Sequence, residues 1–100
     1  MQFFEVKDRS GRIIYLTKER WNHIIIEHLT VSNKLEDVKE TLVNPLIIRE
    51  SEYDTNVRFY YKYYKNVKLK AKYLIVVVKY LNGKGFIITS FYTDKIKGLK

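Results

Sequence analysis

The sequence predicts an α+β domain in which an N-terminal hairpin and two helices pack on a four-stranded antiparallel sheet. Three observations lead to this class. Two segments between residues 18 and 43 repeat their apolar residues with a helical period, four later segments are rich in Val, Ile, Tyr and Phe, and Asn82-Gly83 separates the last two of these. With 100 residues, 46% of them hydrophobic, the chain fits one domain spanning residues 1–100. Helices that precede the strands pack together on one face of the sheet.

The first element is predicted to be a short hairpin followed by a helix. Phe3 to Lys7 and Arg12 to Leu16 alternate around the turn-like tripeptide 9–11. Thr17 is then a suitable N-cap, with good helix formers directly after it. We therefore expect a helix from about residue 18 to 29.

The first helix has one apolar face, and a histidine lies in the middle of it. At 100° per residue, Trp21, Ile24, Ile25 and Leu29 share this face. His28 falls between them, three residues after Ile25 and four after Ile24. For an arbitrary protein such a histidine is more often a hydrogen-bonded core residue than a catalyst.

A second helix and four strands complete the predicted fold. Asn33 with Glu36 three residues later forms a capping box, Leu35, Val38 and Leu42 form the apolar stripe, and Asn44-Pro45 ends the helix. The strands, expected as an antiparallel meander, are 46–53, 57–64, 73–81 and 85–93.

The Asn82-Gly83 hairpin also predicts which side chains share a sheet face. A two-residue turn at this position pairs Val76 with Thr89. Thr89 and Thr93 would then share the face of Val76 and Leu74, and Ser90 would point to the other side. Periodicity leaves open which face the helices cover, since the third strand is apolar on both.

The positive charge is concentrated in the second half of the chain. Residues 1–50 hold eight basic and eight acidic side chains, whereas residues 51–100 hold eleven and three, so the net charge of +8 arises entirely after residue 50. No acid occurs between Asp54 and Asp94. Such a segment recruits polyanions and indicates a nucleic-acid partner, although a lysine-rich composition of the source genome would also produce it.

Other function classes are disfavoured by composition. The absence of cysteine excludes thiolate metal sites and disulfides, and two histidines five residues apart form no metal-binding pattern, so no metal and no cofactor are expected. The longest apolar run, Leu74 to Val78, is too short to span a membrane, and the N-terminus lacks the features of a signal peptide. We expect a cytoplasmic protein.

The remaining candidate groups suit RNA cleavage without metal, because RNA supplies its own 2′-hydroxyl nucleophile. Imidazole, guanidinium, ammonium and hydroxyl groups then suffice, and the candidate catalytic residues are His28, Arg58, Lys62, Thr89 and Thr93. Tyrosines and lysines that would stack bases and neutralise phosphates are Tyr60, Tyr64, Lys65, Lys68, Lys70 and Lys79. An exposed sheet face with lysine stems over tyrosine rings would produce the same pattern.

The order and spacing of several segments resemble a known family. These segments are Leu16 to Ile24 with His28, Asn44-Pro45, Arg58 to Tyr61, Tyr73 to Lys79 and Ile87 to Thr93. Together they are similar to a phage-associated nuclease family of the barnase/EndoU/colicin/RelE (BECR) fold. The resemblance implies a RelE/barnase-like fold, with His28, Arg58 or Lys62, and Thr89 or Thr93 at the active site. The sequence departs from the family after His28, where Leu29-Thr30-Val31 replaces the usual Pro-Glu.

These observations predict a metal-independent endoribonuclease, a toxin or phage-conflict effector, with His28 as general acid or base and Arg58 and Lys62 stabilising the pentacovalent phosphate. A catalytically silent nucleic-acid-binding module is the first alternative. A domain masked by an acidic antitoxin protein is the second.

Overall fold

The protein is described here by a computed structural model that covers residues 2–96, with side chains described from Phe4 onward. Two α-helices, α1 and α2, and a mixed six-stranded sheet make up these residues. The strands are β1 Gln2–Lys7, β2 Ile13–Thr17, β3 Ile47–Glu50, β4 Val57–Tyr63, β5 Tyr73–Leu81 and β6 Lys84–Thr93; the helices are α1 Lys18–Glu27 and α2 Leu35–Val43, with a 3₁₀ turn at Leu29–Val31 between them. Neither helix in this part of the chain has the length and apolarity of a bilayer span.

The predicted four-stranded antiparallel sheet is wrong, because the N-terminal hairpin belongs to the same sheet. The strand order is β1-β2-β6-β5-β4-β3, and β2 pairs with β6 in parallel through Ile14 with Gly85 and Tyr15 with Phe86. Gly85 permits this close approach. A Cβ at that position would lie 2.9 Å from side-chain carbons of both Ile14 and Val78.

The hairpin between β5 and β6 has the predicted turn. Asn82 and Gly83 have φ values of 54° and 79°, as a type I′ turn requires, and Leu81 pairs with Lys84. The four-residue strand β3 is shorter than the predicted 46–53, and Tyr53 lies beyond it with 88% of its surface exposed.

The predicted register of β5 and β6 is wrong beyond Ile87, because Ile88 forms a β-bulge. Val78 pairs with Ile87 but Val77 pairs with Thr89, so Val76 faces Ser90 rather than Thr89. A shift of one residue moves every following side chain to the opposite face of the sheet. Thr89 therefore lies on the face of Val77.

The helices cover the sheet face that carries Leu74, Val76 and Val78, and the main hydrophobic core lies between the two layers. The N-cap of α1 is confirmed, since the Thr17 hydroxyl accepts a hydrogen bond from the N–H of Arg20 at 3.1 Å. The predicted end of α1 at residue 29 is wrong. The helix ends at Glu27, and His28 leaves helical geometry with φ −134° and ψ 76°.

The start of α2 also differs from the prediction, and its end is confirmed. Lys34, not Asn33, precedes the first turn, and no side chain caps the helix there. Val38 and Leu42 of the predicted apolar stripe are fully buried. The helix stops before Asn44-Pro45 as expected.

The opposite face of the sheet, which we call the open face, carries no helix among residues 2–96. A smaller hydrophobic cluster of Tyr61, Ile75, Val77 and Ile96 lies on it, and helix residues contribute only to the main core. The chain after β6 turns back over this face, because Ile96 is 7% exposed within the cluster. Two unequal cores therefore flank the sheet.

Candidate nucleic-acid interface

The sheet separates the predicted catalytic residues into two groups. Arg58 and Lys62 lie on the helix-covered face, directly opposite core residues of β5. Thr89 and Thr93 lie on the open face because of the bulge at Ile88. The five residues predicted to form one catalytic site are therefore not assembled at one place.

His28 belongs with the open-face group. Its half-buried ring stacks on Phe91, with 4.9 Å between the ring centroids and 28° between the ring planes. Phe91 pairs with Ile75 and lies on the same face as Thr89 and Thr93. Within residues 2–96, no hydrogen bond or ion pair joins the His28 side chain to Arg58 or Lys62.

Arg58 lies in a cluster with a second arginine that the sequence analysis did not single out. Its guanidinium is 3.5 Å from the Glu50 carboxylate, and its Cζ is 5.7 Å from the centroid of the Tyr80 ring. The Cζ of Arg12 lies over the same ring at 3.8 Å. Two cations thus share one aromatic ring at the start of β2 and β4.

Tyr80 and Tyr60 form a buried hydrogen-bonded chain beneath these arginines. The Tyr80 hydroxyl donates to Asp8 Oδ2 at 2.7 Å, and the Tyr60 and Tyr80 hydroxyls are hydrogen-bonded to each other. Burial raises the pKa of Tyr80 and of Tyr60. Since Tyr60 is 2% exposed, its ring has no surface on which a base could stack.

Asp8 holds this chain and the β1–β2 turn together. Its Oδ1 accepts from the N–H groups of Ser10 and Arg12 at 2.9 Å and from the Ser10 hydroxyl at 2.7 Å, and its Oδ2 lies 3.3 Å from Arg12 Nε. Burial alone would raise the pKa of Asp8, but the hydrogen bonds from Ser10, Tyr80 and Arg12 outweigh it and lower the pKa.

Lys62 and Arg9 meet at the end of α2. Lys62 Nζ donates to the Asn44 carbonyl at 2.9 Å, and Arg9 Nη2 donates to the Asn44 side-chain oxygen at 3.2 Å. Both cations thus lie beside the carboxyl end of the helix, where the helix dipole favours positive charge.

Tyr64 anchors α2 to the sheet rather than offering an open ring. Its hydroxyl donates to the Asp37 carbonyl at 3.0 Å and lies 3.2 Å from the Thr41 hydroxyl. Burial raises the pKa of Tyr64 to about 12. Of the two tyrosines predicted to stack bases, Tyr60 is buried, whereas Tyr64 is half-buried and lines a cavity beside the loop that follows β4.

The β4–β5 loop brings two lysines, Lys65 and Lys68, to the other end of β4, where they lie near Lys34 and Lys62. Two adjacent cavities of about 320 and 350 Å³ are both lined by Lys34 and Asn66; Lys68 lines the first, and Lys62 and Lys65 line the second. A further lysine of the loop has a structural role. Lys72 Nζ donates to the carbonyls of Val67 and Leu69 at 2.5 and 2.9 Å and so fixes the loop.

These cations form one surface, which we call the basic stripe. It runs along β4 from the loop to the start of the strand, and Arg58 and Lys62 alone span about 13 Å of it at ~3.3 Å per residue. Its members are Lys34, Lys68, Lys65, Lys62, Arg9, Arg12 and Arg58.

Two predicted binding lysines lie outside the basic stripe. Lys70 is exposed in the loop, and Lys79 forms an ion pair with Asp54 at 3.1 Å. Three stripe residues, Arg9, Arg12 and Lys34, were missed by sequence reasoning. They come from the charge-balanced half of the chain. Only the tertiary structure brings Arg9 to Asn44 at the end of α2 and Arg12 over the Tyr80 ring of β5.

The fold and the site define a small α+β domain with a cationic surface on its helix-covered side and a separate open sheet face. No family model matches this chain, and neither a curated protein nor a solved structure matches it.

Proposed function

We propose that the protein binds RNA along the basic stripe. The observation that carries this proposal is the continuity of the stripe. Shared partners and cavities join its seven cations into two groups, and the groups adjoin at the turn that holds Arg9 and Arg12 and along the β4 face that holds Arg58 and Lys62. Asn44 joins Lys62 to Arg9, the Tyr80 ring joins Arg12 to Arg58, and two adjacent cavities join the lysines.

Most of these charges are uncompensated. Ion pairs within the described residues involve only two stripe members, Arg12 with Asp8 and Arg58 with Glu50. Asp37 lines one cavity and supplies a third negative charge. Seven cations minus three anions leave a net charge of +4 on the stripe. A surface of this kind attracts polyanions and releases their counterions on binding.

The stripe suits contacts with phosphates rather than with bases. Tyr60 of β4 is buried and the hydroxyl of the neighbouring Tyr64 is hydrogen-bonded to α2, so the cations carry most of the interaction. Phosphate contacts give little sequence preference and a strong dependence on salt. Four neutralised phosphates give a slope of log K against log salt of about −3 on a single strand, from ~0.7 per phosphate.

The test is fluorescence anisotropy with a labelled single-stranded RNA over a range of salt concentrations. Reversal of two loop charges in Lys65→Glu/Lys68→Glu is expected to weaken binding by at least about tenfold, as the net charge of the stripe falls to zero. The control Lys7→Glu/Lys18→Glu makes the same change in total charge at two exposed positions outside the stripe.

Three results would contradict RNA binding along the stripe. Equal losses in the two double variants would show that only the total charge matters. A slope of log K against log salt near zero would show that phosphate contacts do not contribute to binding. Failure to bind RNA at low salt, together with copurification of an acidic polypeptide, would instead favour the protein partner considered in the sequence analysis.

Metal-independent RNA cleavage is a second candidate function, favoured by the position of His28. Its half-exposed imidazole stacks on Phe91, which lines a groove of the open face together with Thr89 and Thr93. An imidazole can remove the proton of the 2′-hydroxyl or protonate the leaving 5′-oxygen. Arg58 and Lys62 lie on the other face, so Lys95 of the same groove is the cation available for the phosphorane there.

Cleavage is tested by incubating labelled RNA with the protein in EDTA. A product ending in a 2′,3′-cyclic phosphate is expected, and His28→Ala should abolish it whereas the exposed His23→Ala should not. Intact RNA with the wild-type protein, or equal cleavage by both variants, would reject the nuclease. RNA binding and RNA cleavage would both take place in the cytoplasm, and cleavage would suit a toxin or phage-conflict effector.

A further inference from the structure

The open face contains a groove of about 530 Å³ that the basic stripe does not use. Eight residues line it: Phe59, Tyr61, Ile75, Val77, Thr89, Phe91, Thr93 and Lys95. This volume lies within the range of ~300–1,000 Å³ that is typical of pockets for small organic ligands. The groove exists because the helices cover only the other face of the sheet.

The floor and rim of the groove differ in chemistry. Most of the lining, which forms the floor, is aromatic and aliphatic, and the polar lining residues are Tyr61, Thr89, Thr93 and Lys95, of which Lys95 is exposed at the rim. Lys95 is exposed and forms no ion pair within residues 2–96. The Thr93 hydroxyl holds the Lys95 backbone, because it accepts a hydrogen bond from the Lys95 N–H and donates one to the Lys95 carbonyl. No carboxylate of the described residues lines the groove.

Two polar groups on this face are unsatisfied within the described structure. The Thr89 hydroxyl oxygen and Arg49 Nε are both buried without a hydrogen-bond partner. Arg49 pairs with Phe59 and therefore lies on the same face beside the groove. Rotation of Thr89 about χ1 exchanges its methyl and hydroxyl groups between staggered positions and would present the hydroxyl to a ligand.

We propose that this groove binds a small aromatic anion, with the ring against the apolar floor and the anionic group on the Lys95 ammonium. Burial of the ring beside Phe91 supplies affinity, and Lys95 supplies the preference for negative charge. A second copy of the chain fits less well, since the described parts of two such faces would oppose cation to cation with no lining carboxylate between them. The site lies on the opposite face from the proposed RNA surface and does not depend on it.

The experiment compares 2-naphthoate with neutral 2-naphthylmethanol, which share one ring system and differ in charge. Methyl NMR titrations report both the affinity and the location, through Ile75, Val77, Thr89 and Thr93. The wild-type protein is expected to bind the anion roughly tenfold more tightly than the alcohol, which is one charge-assisted contact converted at ~1.4 kcal/mol per factor of ten.

Charge reversal in Lys95→Glu should remove this preference, leaving the two probes within about twofold of each other. The matched control Lys65→Glu changes the same charge on the basic stripe and should leave the preference unchanged. Because Lys65→Glu/Lys68→Glu tests RNA binding separately, failure of either proposal can be distinguished from failure of the other.

Competition with uridine monophosphate distinguishes a nucleotide from an aromatic acid as the natural ligand. Competition with naphthoate would assign the groove to nucleotides, and naphthoate binding without such competition would assign it to aromatic acids; both results support the proposal. Chemical-shift changes confined to methyl groups outside the groove would overturn the proposal. So would an unchanged preference in Lys95→Glu, or concentration-dependent dimers formed through this face.

Discussion

Replacement of Asp8 by alanine should destabilise the protein more than any other single change in the β1–β2 turn. Its carboxylate is almost fully buried and accepts hydrogen bonds from Ser10, Arg12 and Tyr80. The alanine variant leaves the Tyr80 hydroxyl with only Tyr60 as a partner and releases the turn from both backbone N–H groups.

The expected loss in the free energy of unfolding is about 3–5 kcal/mol. Loss of one of the two partners of the buried Tyr80 hydroxyl costs ~1–2 kcal/mol, and each of the two backbone hydrogen bonds to the carboxylate contributes about 1 kcal/mol. The ion pair with Arg12 adds less than ~1 kcal/mol, because the arginine side chain is 35% exposed. Asp8→Asn keeps an acceptor for the turn and should lose only about half as much.

Urea denaturation at several pH values is the assay. The pKa of Asp8 is lower in the folded protein than in the unfolded chain, so its ionisation stabilises the fold fully above the unfolded value of about 3.9. This contribution is lost as the pH falls through the folded pKa. The difference between the wild-type protein and Asp8→Ala should therefore shrink below about pH 4.

Two results would refute this reasoning. A loss below ~1 kcal/mol at pH 7 would show that the hydrogen bonds to Asp8 are not coupled to folding. A difference that stays constant from pH 7 to pH 2.5 would show that the charge of the carboxylate is irrelevant. A domain of this size has a total stability of only ~5–15 kcal/mol, so the predicted effect is easily measured.

Three further predictions concern packing and titration. Thr89→Val and Tyr92→Phe each remove a buried hydroxyl that has no hydrogen-bond partner in the described structure. Thermal unfolding should therefore show each variant more stable than the wild-type protein by about 1 kcal/mol. A loss of stability would mean that the hydroxyl is hydrogen-bonded in the folded protein. Gly85→Ala should cost ~1–3 kcal/mol in urea denaturation, because the new methyl group meets Ile14 and Val78 at 2.9 Å, and an unchanged midpoint would contradict the parallel pairing. Burial raises the pKa of Tyr64 and Tyr92 to about 12. The stability that their neutral phenols contribute is therefore complete below about pH 10 and is lost as the pH rises from there towards 12. Absorbance at 295 nm should show these phenols ionising together with unfolding rather than before it.

Local signals in the sequence predicted local structure well. The cap at Thr17, the turn at Asn82-Gly83 and the stop before Pro45 each depend on a few neighbouring residues, and the structure contains all three. The apolar stripe of α2 likewise follows from helical spacing alone.

The errors arose where distant parts of the chain decide the outcome. The parallel contact of β2 with β6 joins residues about 70 positions apart, and nothing near Ile14 indicates it. The bulge at Ile88 lies in a continuous run of β-branched residues without a glycine to mark it. That single extra residue placed Thr89 and Thr93 across the sheet from Arg58, so the predicted site was divided even though each of its strands was found.

The parallel pairing of β2 with β6 also orders events during synthesis. Residues 14 and 85 are separated by 71 positions, which at ~5–20 residues per second corresponds to about 4–14 s of translation. Throughout that interval the β1–β2 hairpin has been synthesised and β6 has not, so the edge of β2 at Ile14 and Tyr15 has no strand to pair with.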